Sequence, residues 1–292
     1  MQDSLIILAG GASSRMKKPS LAKGLSEEEM QQANERSKGL IGVGPKGRPL
    51  LDYLLYNAKE AGYKNIYIII GEQGDLFKEF YGRKQKDNKF QRLNISFATQ
   101  YIPKERIKPY GTADALFQAL EQYPELKTGS FTVCNSDNLY SILALSQLRQ
   151  THWPHAFISY DRDALDFSEE RIQRFALAKL NNENALVDII EKPPIDDVEK
   201  FRDVQGKLRV SMNVFKFNGT VIYPYLRDCP IHPDRNEKEL PTALLNMMKA
   251  YPNTVLGIPL SEHVPDLTAK EDIAAVKTYL QNNFEELNWW ES

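Results

Sequence analysis

Apolar and polar positions alternate in blocks through the first half of the chain. Short apolar runs at 5–8, 66–70, 95–99 and 131–134 are separated by amphipathic stretches at 50–61, 75–81, 112–123 and 141–150. Apolar runs of four or five residues bounded by turn residues read as buried strands. Stretches with apolar residues every three or four positions read as helices. The run 66–70 is almost all isoleucine, which suits a central parallel strand covered on both faces. Gly62 closes the helix over 50–61, supplying the left-handed conformation that ends many helices. This alternation predicts a three-layer α/β/α, Rossmann-like fold around a mixed, mostly parallel central sheet.

Beyond position 150 the rhythm changes. Segments 156–160, 175–180, 185–190 and 209–217 have strand character with few long helices between them, and they predict antiparallel additions to the same sheet. Helices follow at 237–249 and 271–282. No stretch rich in Pro, Gly or Ser divides the chain, so one domain over 1–292 is expected. It carries a helical insertion at 17–37 and a C-terminal helix and tail at 270–292. No short-period repeat is present, so no terminal β-helix is expected. In the insertion, Ser26 precedes Glu27, Glu28 and Glu29 in the manner of a capping box. The segment reads either as a solvated helix or as a mobile flap, with Lys17, Lys18 and Lys23 available to phosphates.

Composition narrows the function classes. The 292 residues are 42% hydrophobic and 26% charged, with a formal net charge of −2. A chain this long buries about 75% of its unfolded surface. The near-neutral balance offers no broad polyanion surface, so nucleic acid is not an expected partner. Two cysteines, Cys134 and Cys229, and four scattered histidines form no zinc-ligand spacing. No apolar run approaches membrane-spanning length and no secretory leader is visible. A cytoplasmic protein with no membrane partner is therefore expected. The pair Trp289–Trp290 could pack within the chain or against a second copy, so a homo-oligomer stays open.

Chemistry concentrates where strands end. The first strand runs into Leu8, Ala9, Gly10, Gly11, Ala12, Ser13, Ser14 and Arg15. Small residues there let backbone amides approach a polyphosphate, and Arg15 adds charge; a plain Gly-rich turn has the same grammar. Asp137 follows the strand 131–134, at the sheet edge where open α/β folds place ligands. It suits Mg2+, which takes carboxylate, phosphate and water oxygens, or it caps the next helix. Asp266 is the natural second carboxylate, or a turn residue before a helix capped by Thr268. Lys38 and Arg15 could both stabilise charge on a transferring phosphoryl group. Gly111, Thr112 and Ala113 open a helix with room for a flat base or ribose. Glu191 and Lys192, before Pro193, suit hydroxyls and a phosphate respectively, although a surface ion pair would look the same.

Taken together, these segments resemble the nucleotide-sugar pyrophosphorylases, and more broadly the sugar-phosphate nucleotidyltransferases. The resemblance rests on six motifs in family order over most of the chain. They are the Gly-rich loop ending in Arg15–Met16; Lys38–Gly39–Leu40 with Gly47–Arg48–Pro49–Leu50; Gly111–Thr112–Ala113–Asp114–Ala115; Ser136–Asp137–Asn138; Glu191–Lys192–Pro193; and the 210–215 strand with Asn213. Leu240–Pro241–Thr242 and Asp266 add to the match. Ser37 and Ser136 stand where the family has proline and glycine, and the spacing from Arg15 to Lys38 is longer than usual.

The resemblance implies a nucleotidyltransferase fold and transfer of a nucleoside monophosphate from an NTP to a sugar 1-phosphate, releasing pyrophosphate. It implies Arg15, Lys38 and Asp137 as catalytic residues. Leu8, Ala9, Gly10, Gly11, Gly111, Thr112 and Ala113 would line the nucleotide. Glu191, Lys192 and Asn213 would hold the sugar phosphate, and Asp137 with Asp266 would hold Mg2+. A cytidylyltransferase for choline phosphate or a sugar-alcohol phosphate, and a non-catalytic nucleotide-sugar-binding regulator, are the alternatives. The phosphate loop also resembles that of molybdenum-cofactor guanylyltransferases, which the 111–115 and 191–193 segments fit poorly. The segment after the first strand lacks GxGxxG, which disfavours a classical dinucleotide-binding domain, and no GxxxxGK[ST] is present.

Overall fold

A computed structural model describes residues 2–19, 24–173, 175–190 and 195–284. Among these, the strands are β1 (Ser4–Leu8), β2 (Asn65–Gly71), β3 (Asn88–Phe90), β4 (Leu93–Gln100), β5 (Ser130–Asn135), β6 (His155–Asp161), β7 (Leu177–Leu180), β8 (Leu186–Ile190), β9 (Arg209–Asn218) and β10 (Val255–Leu260). The helices are α1 (Glu27–Glu35), α2 (Leu50–Glu60), α3 (Asp75–Tyr81), α4 (Thr112–Gln122), α5 (Glu125–Thr128), α6 (Ile142–Gln150), α7 (Glu169–Ile172), α8 (Gly219–Arg227), α9 (Leu240–Ala250) and α10 (Asp272–Asn283).

The strands form one sheet in the order β10-β6-β9-β5-β1-β2-β4-β3, and the β7–β8 hairpin joins β9 through Leu177 and Val210. Pairs β5–β1, β1–β2, β2–β4 and β6–β10 are parallel. β9 runs antiparallel between β5 and β6, which makes the sheet mixed as the second half of the sequence predicts. Side chains of β1 alternate between two apolar layers. Leu5 and Ile7 pack with Leu54 of α2, Leu145 of α6 and Ile273 of α10. Ile6 faces the other way, into a layer with Leu116 of α4, Ile222 of α8 and Leu244 of α9. Each such fully buried aliphatic side chain contributes about 1.5–3 kcal/mol. Among the described residues, apolar layers thereby cover both faces of the sheet at β1.

Several elements, β10 and α8 among them, are absent from the sequence reading. β10 contains Gly257 and Pro259, residues that argue against a central strand; it lies at the sheet edge, where they are tolerated. α8 holds Pro224 and so shows no clean helical pattern, yet Asn218 caps it by accepting from the Val221 amide. The helix expected over 237–249 begins at Leu240, with Pro241 in its first turn.

Helix α1 is a packed element. Ser26 and Glu29 form the reciprocal capping box. Gln32 and Ala33 are buried, and the Gln32 Oε1 accepts from the Gly42 amide at 2.8 Å. Glu29 pairs with Lys277 of α10 at 2.5 Å, which together with Ser26 lowers the Glu29 carboxyl below its ordinary value. The flap reading therefore does not describe α1. Lys23 and the Trp289–Trp290 pair lie outside the described residues. Among the described residues no helix is long and apolar enough to cross a membrane.

Candidate functional site

The loop after β1 is held from both sides. The Ala9 amide donates to the Ile69 carbonyl at 2.8 Å and the Ser136 amide to the Leu8 carbonyl at 3.1 Å. Gly10 lies so close to β2 that a Cβ would sit 3.3 Å from the Gly71 nitrogen, whereas Gly11 faces open space. The chain then turns through Ser13, whose φ is 52°, and the Lys17 amide closes the turn onto the Ser13 carbonyl. Met16 is fully buried and anchors the turn, so its neighbour Arg15 projects outward. A short apolar strand, small residues and one buried methionine thus present Arg15 and the loop backbone to the same space.

Asp137 follows β5. It does not cap α6: Ser141 does, accepting from the Ala144 amide at 3.0 Å. Its carboxylate meets Lys38 Nζ at 2.8 Å. Lys38 opens a single 3₁₀ turn, and Gly39 makes the approach possible, because a Cβ there would lie 3.0 Å from the Ser136 carbonyl oxygen. Asp266 arrives from the far end of the chain. The Leu267 amide donates to the Asp137 carbonyl at 2.8 Å and the Leu139 amide to the Pro265 carbonyl at 2.9 Å. This short antiparallel bridge, Asn138 opposite Asp266, sets the two acidic residues on adjoining backbone. Burial, and after it the charge of Asp137, raise the Asp266 carboxyl above its ordinary value, while Arg171 pulls it down. Thr268 does not cap α10 through its side chain; its hydroxyl donates to Asp266 Oδ1 at 2.7 Å.

Two adjoining chambers meet at these residues. A smaller one of about 340 Å³ is lined by Ala9, Gly10, Gly11, Lys38, Gln100, Lys108, Gly111 and Thr112. A larger one of about 870 Å³ is lined by Phe175, Ile189, Met212, Asn213, Arg235 and Asp266, among others. Leu8, Arg15, Thr112, Asn135 and Asp137 line both. Arg15 and Asp137 are thus placed where the two chambers meet, while Lys38 lines the smaller and Asp266 the larger.

Asn213 reaches the larger chamber because β9 bulges. Its register with β6 shifts between the pairs Phe157–Phe215 and Ser159–Ser211. Asn213 takes φ 58°, a conformation asparagine tolerates better than most residues, and its amide donates to Ser211 Oγ at 3.1 Å. The buried Tyr140 hydroxyl donates to the Met212 carbonyl at 2.6 Å and fixes the bulge from below.

Of the residues singled out by sequence, Leu8, Ala9, Gly10, Gly11, Arg15, Lys38, Gly111, Thr112, Asp137, Asn213 and Asp266 all line these chambers. Ala113 does not face them. It is fully buried, and its amide is spent on the Lys238 carbonyl at 2.9 Å, so it supports the wall from behind. Glu191, Lys192 and Pro193 lie outside the described residues.

Sequence reasoning missed Arg171, which touches both Asp266 and Asp272, because nothing in the polar stretch 168–174 marks it. It also missed the brace on Gln100, whose Nε2 donates to the Gly111 carbonyl and to Asp114 Oδ2, both at 3.0 Å. The spacing of Asp114 and Gln118 on one helix face was the available signal, since Gln118 donates to the same carboxylate oxygen at 2.9 Å.

The open α/β sheet thus gathers a Gly-rich loop, Arg15, Lys38 and two carboxylates at the carboxyl ends of its strands. The nucleotidyl transferase family matches residues 4–258, and the chain belongs to that family. Bifunctional protein GlmU of Staphylococcus epidermidis is 25% identical over 251 residues, covering 85% of this chain and 46% of that protein. The glucose-1-phosphate adenylyltransferase of Rhodopirellula baltica is 23% identical over 236 residues, covering 80% of this chain and 49% of that protein. The chain spans about half the length of the curated relatives it matches.

Proposed function

We propose that the protein transfers a nucleoside monophosphate from an NTP to a sugar 1-phosphate, forming an NDP-sugar and pyrophosphate. The observation that carries this reading is the placement of Asp137 and Asp266 on adjoining backbone where two chambers meet, with Lys38 paired to Asp137 and Arg15 lining both chambers. The smaller chamber suits the nucleoside: Gly10, Gly11 and Gly111 line it, and Gly11 faces open space. The larger suits the acceptor. Family membership and the names of the matched relatives support the same assignment.

In this reading an oxygen of the acceptor phosphate attacks the α-phosphorus, and the bond to the β-phosphate oxygen breaks with pyrophosphate leaving. The nucleophile is already anionic, so no strong general base is required. The protein's contribution is alignment and charge stabilisation. Arg15 holds the β- and γ-phosphates and then the departing pyrophosphate. Lys38 steadies charge at the α-phosphate. Asn213 reads acceptor hydroxyls together with Glu191, and Lys192 places the acceptor phosphate.

The donor set fits Mg2+. Two carboxylates on adjoining backbone line one chamber, and burial followed by the charge of Asp137 raises Asp266. Magnesium is commonly held by one or two carboxylates with substrate phosphates and water completing its shell. When bound, Mg2+ would supply positive charge between the reacting phosphates, held by Asp137 and Asp266.

A pyrophosphate-release panel tests the reading. UTP, dTTP, GTP, CTP and ATP are each crossed with several sugar 1-phosphates, choline phosphate and sugar-alcohol phosphates. Turnover with a sugar 1-phosphate supports it. Turnover only with choline phosphate or a sugar-alcohol phosphate, or saturable NDP-sugar binding with no turnover, replaces it with one of the alternatives.

A further inference from the structure

Arg171 has a place at the site that none of these roles uses. It belongs to α7, the single helical turn between β6 and β7, and its guanidinium carbon lies 4.3 Å over the Phe167 ring. Phe167 is itself packed edge-on against Phe175 and His263. Arg171 Nη1 meets Asp272 Oδ1 at 2.5 Å, and Nη2 lies 2.8 Å from Asp266 Oδ2. The two arms are unequal. The Asp272 arm is a hydrogen bond to a fixed acceptor, since the other Asp272 oxygen accepts from the Thr268 and Ala269 amides at 2.8 and 2.7 Å. The Asp266 arm is a close charge contact without hydrogen-bond alignment, which leaves the buried Nη2 poorly satisfied. Asp266 meanwhile receives the Thr268 hydroxyl on Oδ1, so Oδ2 is the oxygen Arg171 covers.

We propose that Arg171 is a built-in counter-cation, anchored on Asp272, that occupies Asp266 Oδ2 and gives it up when a divalent cation binds. This rests on the reading of Asp137 and Asp266 as the metal carboxylates. Lys38 meets Asp137 and Arg171 meets Asp266, so each of these carboxylates touches a positive charge before any substrate arrives, although Arg171 shares its charge with Asp272. A divalent cation must displace the looser of these contacts. The chain's own arginine thereby lowers the site's affinity for bare metal and favours metal that enters with phosphates, which supply further oxygens. Arg171 is a positioning residue in this account: it acts through Asp266.

The test is Mn2+ binding by the intact, nucleotide-free protein, followed by electron paramagnetic resonance. Arg171→Gln removes the competing charge and should bind Mn2+ roughly tenfold more tightly than the unaltered protein. Arg171→Lys keeps a positive charge but loses the planar fork, and should gain less Mn2+ affinity than Arg171→Gln. A purely structural role for Arg171 would loosen the Asp266 loop and weaken binding in both variants. Unchanged or weaker binding in Arg171→Gln overturns the proposal.

Asp137→Asn separates the two levels of the argument. If it weakens Mn2+ binding while Arg171→Gln does not strengthen it, the metal reading stands and the Arg171 proposal falls. If no variant binds Mn2+ with or without nucleotide, both fall. Should Arg171→Gln not fold, Mn2+-soaked crystals of the unaltered protein with nucleotide decide the matter. Metal on Asp266 with Arg171 withdrawn supports the proposal, and metal on Asp266 with the 2.8 Å contact intact overturns it.

Discussion

Asp137 and Asp266 sit on adjoining backbone, joined by the Leu267 amide on the Asp137 carbonyl and the Leu139 amide on the Pro265 carbonyl. Backbone pairing, rather than side-chain contact, sets their separation, so either carboxylate can be altered without dismantling the other. Asp137→Asn should reduce turnover at least about 100-fold, since the removed group serves charge stabilisation at the reacting phosphates. Lys38 then loses its charged partner, at a cost of about 1–3 kcal/mol. Pyrophosphate release and urea unfolding on the same preparation check this, and loss of cooperative unfolding would assign Asp137 to the fold instead.

Asn213 should separate acceptor use from nucleotide use. Asn213→Gly accepts the φ of 58° without strain but removes the side chain from the larger chamber. The expected result is a roughly tenfold rise in KM for the acceptor, about 1.4 kcal/mol, with KM for the NTP little changed. Asn213→Ala should add a stability cost of about 1–2 kcal/mol from the left-handed backbone. Kinetics with each substrate varied in turn, alongside urea unfolding, distinguish the two effects.

Gly111→Ala should damage both fold and smaller chamber. Gly111 has φ 107°, and a Cβ would come within 2.8 Å of the Lys238 carbonyl oxygen, which also receives the Ala113 amide. Backbone strain and the clash together should cost about 2–4 kcal/mol. The shift in the urea midpoint at constant m-value measures it, and a variant of unchanged stability would contradict the tight packing of this turn.

His155 should make the protein acid-sensitive well away from the site. It is buried, its Nδ1 has no hydrogen-bond partner, and burial followed by the charge of Lys216 lowers its pKa from 6.5 to about 4. Between those values the unfolded chain binds a proton that the native state does not. Stability from this group is therefore complete above pH 6.5 and is lost as pH falls toward 4. At about 1.4 kcal/mol per pH unit the loss reaches about 3 kcal/mol. His155→Gln should flatten that limb, and parallel acid limbs in both proteins would refute the assignment.

What was legible in the sequence is what local chemistry determines. The Gly-rich turn after β1, the capping box of Ser26 and Glu29, and Gly62 at the end of α2 each follow from a few adjacent residues. Asp137 was readable as an acid at a strand end, and Asp266 as a candidate second carboxylate that an ordinary turn residue would match equally well. The contact between them depends on long-range pairing that no local pattern encodes.

The rest was hidden for identifiable reasons. Pro259 and Pro224 mask β10 and α8, because each violates the preference of the element that contains it. Ala113 looked available because small residues open space, but the same smallness lets Lys238 pack against the helix start. Arg171 escaped notice because its importance comes from reach: a long side chain from a polar turn crosses to two carboxylates distant in sequence.

The central claim is metal-dependent nucleotidyl transfer at the Asp137–Asp266 seam. The most direct measurement is exchange of labelled pyrophosphate into NTP in the presence of the matching NDP-sugar, with and without Mg2+, for the unaltered protein and Asp137→Asn. The account predicts exchange that requires Mg2+ and disappears in Asp137→Asn. Exchange that persists in Asp137→Asn, or NDP-sugar binding with no exchange under any metal condition, would contradict it.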